Sequence, residues 1–279
     1  MGSKHSKKAN DAASSQSQDE RKCFYLGYAA IDGLTSQQAV ERVLEMANTA
    51  GCQYVVTPNS DHIIQLEEDR LLQAVYRDAD LVVADGMPIV WASRLLGQPL
   101  PERVTGADLL PQICAVAASR GLSIFLLGAP AGVSAQAANI LMKRYPGLVI
   151  TGTYSPPMGF ENDQEECRQI VKMINESHAH IVFVGLGAPK QEYWMHRYRG
   201  ELEIGVLLGV GAAIEFVAGV IPRAPVWMQK TGLEWLFRLL QEPKRLARRY
   251  LRDFKIFSIV WRQWLRGKKL QGSSHDGPS

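Results

Sequence analysis

Cysteine is scarce in this 279-residue sequence: Cys23, Cys52, Cys114 and Cys167 stand far apart, with no C-x-x-C pair. That spacing indicates neither a zinc site nor a disulfide framework, and it fits a reduced, cytosolic compartment. Long apolar runs are also missing. None approaches the ~18 residues a spanning helix needs, so no bilayer crossing is expected. The first 22 residues are polar and do not read as a signal peptide. No G-x-S-x-G elbow occurs. His62, His178, His180 and His196 have no ligand spacing with cysteines or acids, so no metal site is expected. No cofactor is expected either: Gly209-Val210-Gly211 opens like a dinucleotide fingerprint, but its third position is Ile214 rather than glycine.

Net charge is small, only +3, yet unevenly spread. Between Arg223 and Lys269 stand 13 Lys and Arg against three acids, a local charge of +10 that leaves −7 for the remainder. Such asymmetry points to a tail that meets an anionic surface, lipid or nucleic acid. Trp227, Trp235, Phe254, Phe257 and Trp261 are interleaved with the basic residues, and Arg238, Arg245, Arg248 and Arg252 fall on one helical face. This is the composition of a helix lying on an anionic membrane. A helix packed on the core with solvated arginines and a nucleic-acid binder are the other readings. We expect the membrane and no nucleic acid.

Residues 1–22 have almost nothing to bury and read as disordered. Their start, Met1-Gly2-Ser3-Lys4-His5-Ser6, formally matches a myristoylation pattern, although a cloning scar reads the same way. From Cys23 onwards short apolar runs alternate with helical patterns, among them Ser36–Ala50, Ile63–Arg77 and Ala107–Arg120. The runs are Cys23–Ile31, Gln53–Pro58, Leu81–Ala84, Ser123–Leu127, Leu148–Tyr154, Ile181–Gly185 and Ile204–Leu208. Continuous apolar strands separated by helices imply an α/β fold: a Rossmann-like parallel sheet with helices on both faces. Helix starts are expected at Thr35-Ser36 and at Asn162-Asp163. After Gly219 the pattern changes to two helices, Val226–Leu240 and Pro243–Leu265. The expected organisation is a disordered segment 1–22, a core 23–220, a basic helical appendage 221–267 and a flexible tail 268–279.

In such a sheet ligands sit at the carboxyl ends of strands. Those ends carry Thr57-Pro58-Asn59, Asp85-Gly86, Gly185 through Gln191, and Gly209-Val210-Gly211. Gly-rich turns let a nucleotide diphosphate approach the backbone, though many such turns only reverse the chain. Asp85 closes the run Leu81-Val82-Val83-Ala84, so its carboxylate should reach the sheet edge and could act as a base. The residues alone leave a second reading, a turn-former before Gly86, and favour it. Asp78-Ala79-Asp80 is formally a D-x-D metal signature, but it precedes its strand and reads as a helix-ending turn.

Several ordered segments carry a resemblance: Thr57-Pro58-Asn59, Ala84-Asp85-Gly86-Met87-Pro88, Arg103-Val104-Thr105-Gly106-Ala107-Asp108-Leu109, Gly185 to Glu192, Gly209 to Ala212, Arg223-Ala224-Pro225, and Leu233 to Leu239 followed by Glu242-Pro243-Lys244-Arg245. Together they closely resemble the WecG/TagA/CpsF glycosyltransferases from about Cys23 to Arg252. The resemblance implies an inverting, metal-independent transfer from a UDP-sugar donor to a polyprenyl-diphosphate-linked sugar acceptor, in surface polysaccharide or cell-wall polymer synthesis. It implies a location at the inner face of the cytoplasmic membrane. Asp85 resembles the general base. Thr57, Asn59, Arg103 and Gln191 resemble residues lining the substrate pocket. Arg238, Arg245 and Arg248 reproduce the spacing of appendage arginines that meet a diphosphate. Gly185, Gly209 and Gly211 join the expected substrate contacts from their strand-end places. A non-catalytic sugar-nucleotide or lipid-diphosphate binding module is the alternative, and homo-oligomerisation stays open.

Overall fold

The structure, a computed structural model, describes residues 22–272 apart from 242, without the side chains of 230, 245, 246, 248, 249 and 267–272. The chain opens with a hairpin, β1 (Cys23–Leu26) and β2 (Ala29–Asp32), and then α1 (Ser36–Met46). Next come β3 (Gln53–Val56), α2 (Ser60–Gln65), α3 (Arg70–Arg77), β4 (Leu81–Val82) and α4 (Met87–Leu95). The middle holds α5 (Gly106–Arg120), β5 (Ser123–Gly128), α6 (Val133–Arg144), β6 (Val149–Tyr154) and α7 (Gln164–Ser177). β7 (Ile181–Gly185), α8 (Lys190–Tyr198), β8 (Val206–Gly209) and α9 (Ala213–Ala218) complete the core. The C-terminal helices are α10 (Val226–Thr231), α11 (Glu234–Gln241), α12 (Pro243–Asp253) and α13 (Lys255–Gly272).

Six strands form one parallel sheet in the order β4-β3-β8-β7-β5-β6. Alternate side chains point to opposite faces, and both faces are buried. Tyr54, Val56, Phe125, Leu127, Val182 and Val184 enter one core. Val55, Ile124, Leu126, Ile181 and Phe183 enter the other, against α1, α5, α6 and α9. Burial on both sides explains why these strands read as unbroken apolar runs. The doubly covered parallel sheet is the one expected.

Four local expectations change, the first being that the stretch 243–265 is not one helix but two, α12 and α13, parted at Phe254. Cys23–Ile31 is no strand of the main sheet. The chain reverses at Gly27-Tyr28 and pairs antiparallel with itself, Leu26 opposite Ala29. The helical stretch 63–77 breaks because the Asp69 carboxylate accepts the N–H groups of Leu71 and Leu72 at 2.9 and 3.0 Å, capping a new helix. The stretch 226–240 breaks at Gly232, which adopts a left-handed φ of +78°. The expected helix starts are observed: Thr35 forms a capping box with Gln38, and Asp163 caps α7.

The C-terminal helices fold back on the core. Ile256, Ile259 and Val260 of α13 are buried in the core that also holds residues of the β1–β2 hairpin and α2. Arg262 pairs with Glu67 at 2.8 Å, Arg252 with Asp61, and Gln263 Nε2 donates to the Tyr25 carbonyl at 2.6 Å. Helix α13 continues to Gly272, through the first residues expected to be flexible. The expected disorder of residues 1–22 falls almost wholly outside the described residues, as do 273–279. Among the described residues no helix is long and apolar enough to cross a membrane.

Candidate active site

Parallel strands put all their carboxyl ends on one side. After β4, at one edge, the chain crosses the sheet to β5, and a crevice opens where the order changes. There the structure has a cleft of about 1420 Å³. Each strand's following turn reaches it, and α11, α12 and α13 add to its wall through Trp235, Arg238, Tyr250, Asp253 and Phe257.

Asp85 lies in the wall of this cleft. The β3–β4 pairing continues past the strand: Val83 N–H donates to Val56 and Asp85 N–H to Pro58, at 3.1 and 2.8 Å. This fixes the Asp85 backbone beside Asn59. Loss of hydration pushes the Asp85 carboxyl up to about 6. The Arg103 guanidinium opposes that rise, the Glu234 carboxylate adds to it, and the Gly106 N–H and His62 oppose it. A carboxylate that titrates near neutrality in a cleft is suited to take a proton from a bound hydroxyl.

The polar floor comes from β3, β7 and β8. Thr57 Oγ1 donates to the Gly209 carbonyl at 3.0 Å, tying two strand ends together. Asn59 caps α2, accepting the N–H groups of Asp61 and His62. Gln191 Oε1 accepts the Gly211 N–H at 3.1 Å, and its Nε2 donates to Glu192 at 2.8 Å. The fully buried Glu192 also lies 3.3 Å from His62 Nε2. Thr57, Asn59, Asp85, Arg103, Gly185, Gln191, Gly211 and Arg238 all line the cleft. Gly209 does not. It sits behind Gln191, where an added Cβ would come within 3.0 Å of Gln191 Nε2. Its smallness therefore admits Gln191. Gly185 has a packing reason of its own, since a Cβ there would meet the Gly211 carbonyl at 2.9 Å.

Arg103 enters an ion cluster that sequence reasoning missed. Arg103 Nη1 bonds Glu234 Oε2 at 2.8 Å, and Arg223 reaches both Glu234 (3.4 Å) and Asp108 (2.8 Å). Asp108, Arg223 and Glu234 all stand in the ordered segments that carry the resemblance, but spacing alone could not bring residues 108, 223 and 234 together. His62 and Glu192 were missed for the same reason. Arg238 lies over the Phe216 ring at 5.5 Å, held by cation–π attraction. The side chains of Arg245 and Arg248 lie outside the described residues, although their helix is described. Asp78 and Asp80 stand at the far end of the sheet. Asp78 pairs with His196 at 3.1 Å, and Asp80 with Arg199 and the Tyr54 N–H, both at 3.0 Å. Among the described residues no group of three or more His, Cys, Asp or Glu is placed to hold a metal.

The model of the family described as "Glycosyl transferase WecG/TagA/CpsF family" matches residues 24–270. Among similar proteins is an "N-acetylglucosaminyldiphosphoundecaprenol N-acetyl-beta-D-mannosaminyltransferase" of Bacillus spizizenii, 33% identical over 195 residues, 70% of this chain and 74% of that one. A Staphylococcus aureus (strain MW2) protein of the same description is 32% identical over 229 residues, 81% of this chain and 87% of that one. A match across nearly all the described residues, on a cleft whose walls are built from the same segments, identifies the chain as a glycosyltransferase of the WecG/TagA/CpsF family.

Proposed function

We propose that the chain transfers a sugar, with inversion, from a UDP-sugar to a sugar held on a polyprenyl diphosphate. The carrying observation is Asp85, a carboxyl raised to about 6 in the cleft wall beside Arg103. In this reading Asp85 takes the proton of the acceptor hydroxyl while that oxygen attacks the anomeric carbon. The bond from that carbon to the diphosphate breaks, and UDP leaves with the electron pair. A single displacement inverts the centre. Guanidiniums of Arg103 and Arg238 offset the leaving charge, an electrostatic stabilisation aimed where charge develops. The names of the relatives support a lipid-diphosphate acceptor carrying N-acetylglucosamine and make UDP-N-acetylmannosamine the first donor to try. The direct test is incubation with a panel of UDP-sugars and polyprenyl-diphosphate sugars, with products weighed by mass spectrometry. No transfer from any donor to a lipid-linked acceptor would leave only the binding-module reading.

We further propose that positive charge at the diphosphate comes from arginine, so transfer is expected to persist in EDTA. Activity lost to EDTA and restored by Mg²⁺ or Mn²⁺ would overturn this. A second expectation concerns pH. Protonated Asp85 is too weak a base to take the hydroxyl proton, so kcat/KM should fall as pH drops through about 6, with a one-proton slope. A profile flat between about pH 5 and 8 would contradict the assignment.

The same reading places the protein against the inner face of the cytoplasmic membrane. The +10 charge of 223–269 supports it, as do Trp227, Leu240, Phe257 and Trp261, which stay exposed on α10–α13. Each Lys or Arg near an anionic leaflet contributes about 1 kcal/mol, and the aromatic rings suit the headgroup boundary.

A further inference from the structure

Glu234 is the first residue of α11 and lines the cleft, as Arg238 does one turn further along. Its carboxylate spans two arginines. Oε2 accepts from Arg103 Nη1 at 2.8 Å, and Oε1 faces Arg223 Nε at 3.4 Å. Arg223 continues to Asp108 at 2.8 Å, and Asp108 is held by the Thr105 hydroxyl at 2.8 Å. The result is a row of alternating charge running from the start of α5 through the connection before α10 to the start of α11. Arg103 and Glu234 are each mostly shielded, with side chains 14% and 16% exposed. Such a pair is screened much less than one on the open surface, and removing one member leaves the other uncompensated.

We propose that Glu234 is a positioning residue that couples the seating of α11 to the catalytic base, by fixing Arg103 beside Asp85 and bringing its own negative charge into the same cleft. The inference rests on the reading of Asp85 as the base. The groups facing Asp85 are Arg103, Glu234, His62, the Gly106 N–H and the hydroxyl of Tyr76; those facing Glu234 are Arg103 and Arg223, with Asp108 behind them. When α11 is docked, Glu234 restrains Arg103 and opposes its pull on Asp85. Unseating α11 would withdraw Glu234 and Arg238 together and leave Arg103 without its anchor.

The test uses the full chain, with Glu234→Ala and Glu234→Gln compared across pH and each variant's melting temperature recorded. Glu234→Ala should lower kcat/KM by roughly 10- to 100-fold, the scale of a small misplacement in a preorganised site. In that variant two opposed changes meet at Asp85, the lost Glu234 charge and the released Arg103, so the acid limb is read on Glu234→Gln. Glu234→Gln keeps an acceptor for Arg103 without the charge, so its limb should move to lower pH, with a smaller loss of rate. It also carries the test if the Ala variant does not fold. A mere staple for the helix would lower activity or stability without moving the limb. An unmoved limb in Glu234→Gln, or normal kcat/KM in Glu234→Ala, therefore overturns the proposal. Asp85→Asn is measured alongside. If it stays active, the base assignment falls and takes this inference with it; if it is inactive and the limb is unmoved, only the role of Glu234 falls.

Discussion

Asp85→Asn is expected to abolish nearly all transfer, by roughly 10²- to 10⁴-fold, while the protein folds normally. The size follows from the role: an amide of the same shape has no basic lone pair with which to take a hydroxyl proton. The expected fold retention follows from the surroundings. Asp85's backbone is held by the N–H bond to Pro58, which the substitution leaves alone. The carboxyl itself is raised by burial to about 6. A group raised in this way favours the folded state only while protonated. Above its unfolded pKa, near 3.9, the unfolded chain can ionise it more readily, so stability is lost as pH rises towards the folded value. At neutral pH, Asn removes that penalty. The variant should therefore melt at or above the wild-type temperature while being inactive, the pattern of a residue retained for chemistry rather than stability. Thermal unfolding and product formation measured on the same preparation check both halves. Near-normal turnover would mean that Asp85 is not the base.

Truncation after Val220 is the second large effect. Composition alone suggests that cutting off a basic tail would leave a sound core. The packing leads elsewhere, because α13 buries Ile256, Ile259 and Val260 in the core shared with β1, β2 and α2. Full burial of an aliphatic side chain contributes about 1.5–3 kcal/mol, so three contribute on the order of 5–9 kcal/mol, comparable with the whole stability of many domains. The cut also removes Glu234 and Arg223, which leaves Arg103 without its carboxylate partner and Asp108 without the Arg223 guanidinium. The truncated chain is expected to melt far below the full-length protein or to aggregate, to lose binding to anionic liposomes, and to show no measurable transfer. A truncated chain with an unchanged melting temperature would show that α13 is a detachable module. Retained liposome binding would locate the membrane contact on the core instead. The roles of the arginines can be separated without truncation. Arg238, Arg245 and Arg248 replaced together by Gln should impair turnover on a short-chain soluble acceptor, where attachment to a surface is irrelevant; normal turnover there would assign these arginines to attachment alone.

Much of the fold was legible because strand and helix periodicities are local. Runs such as Ile181-Val182-Phe183-Val184 are short, rich in β-branched residues and without a polar side, which fits strands covered on both faces. Thr35 and Asp163 announce helix starts because their side chains bond the backbone two or three residues ahead. The break at Asp69 has the same local cause, but it stood inside an apolar periodic pattern and was outvoted by it. The hairpin at Cys23–Asp32 was misread because one turn, at Gly27-Tyr28, decides between a single strand and two.

The site divides along the same line. Asp85 could be placed at a sheet edge because it ends an apolar run, and the strand-end turns could be named as candidates because a parallel sheet gathers its carboxyl ends on one side. The sequence by itself thus determined the α/β class, the edge on which chemistry would sit, the basic character of the C-terminal helices and, through its ordered segments, the family. It did not determine which charges meet. Arg103 joins Glu234 across 131 positions, His62 joins Glu192 across 130, and α13 lies against a hairpin more than two hundred residues earlier. Pairings of that range depend on the strand order and on how helices α10–α13 fold back, and neither leaves a periodic trace in the residues concerned. For the same reason Gly209, a ligand contact by its place in the sequence, lies instead in the close approach that admits Gln191. Only the tertiary structure sets the distances between side chains, and with them the burial that pushes the Asp85 carboxyl up to about 6.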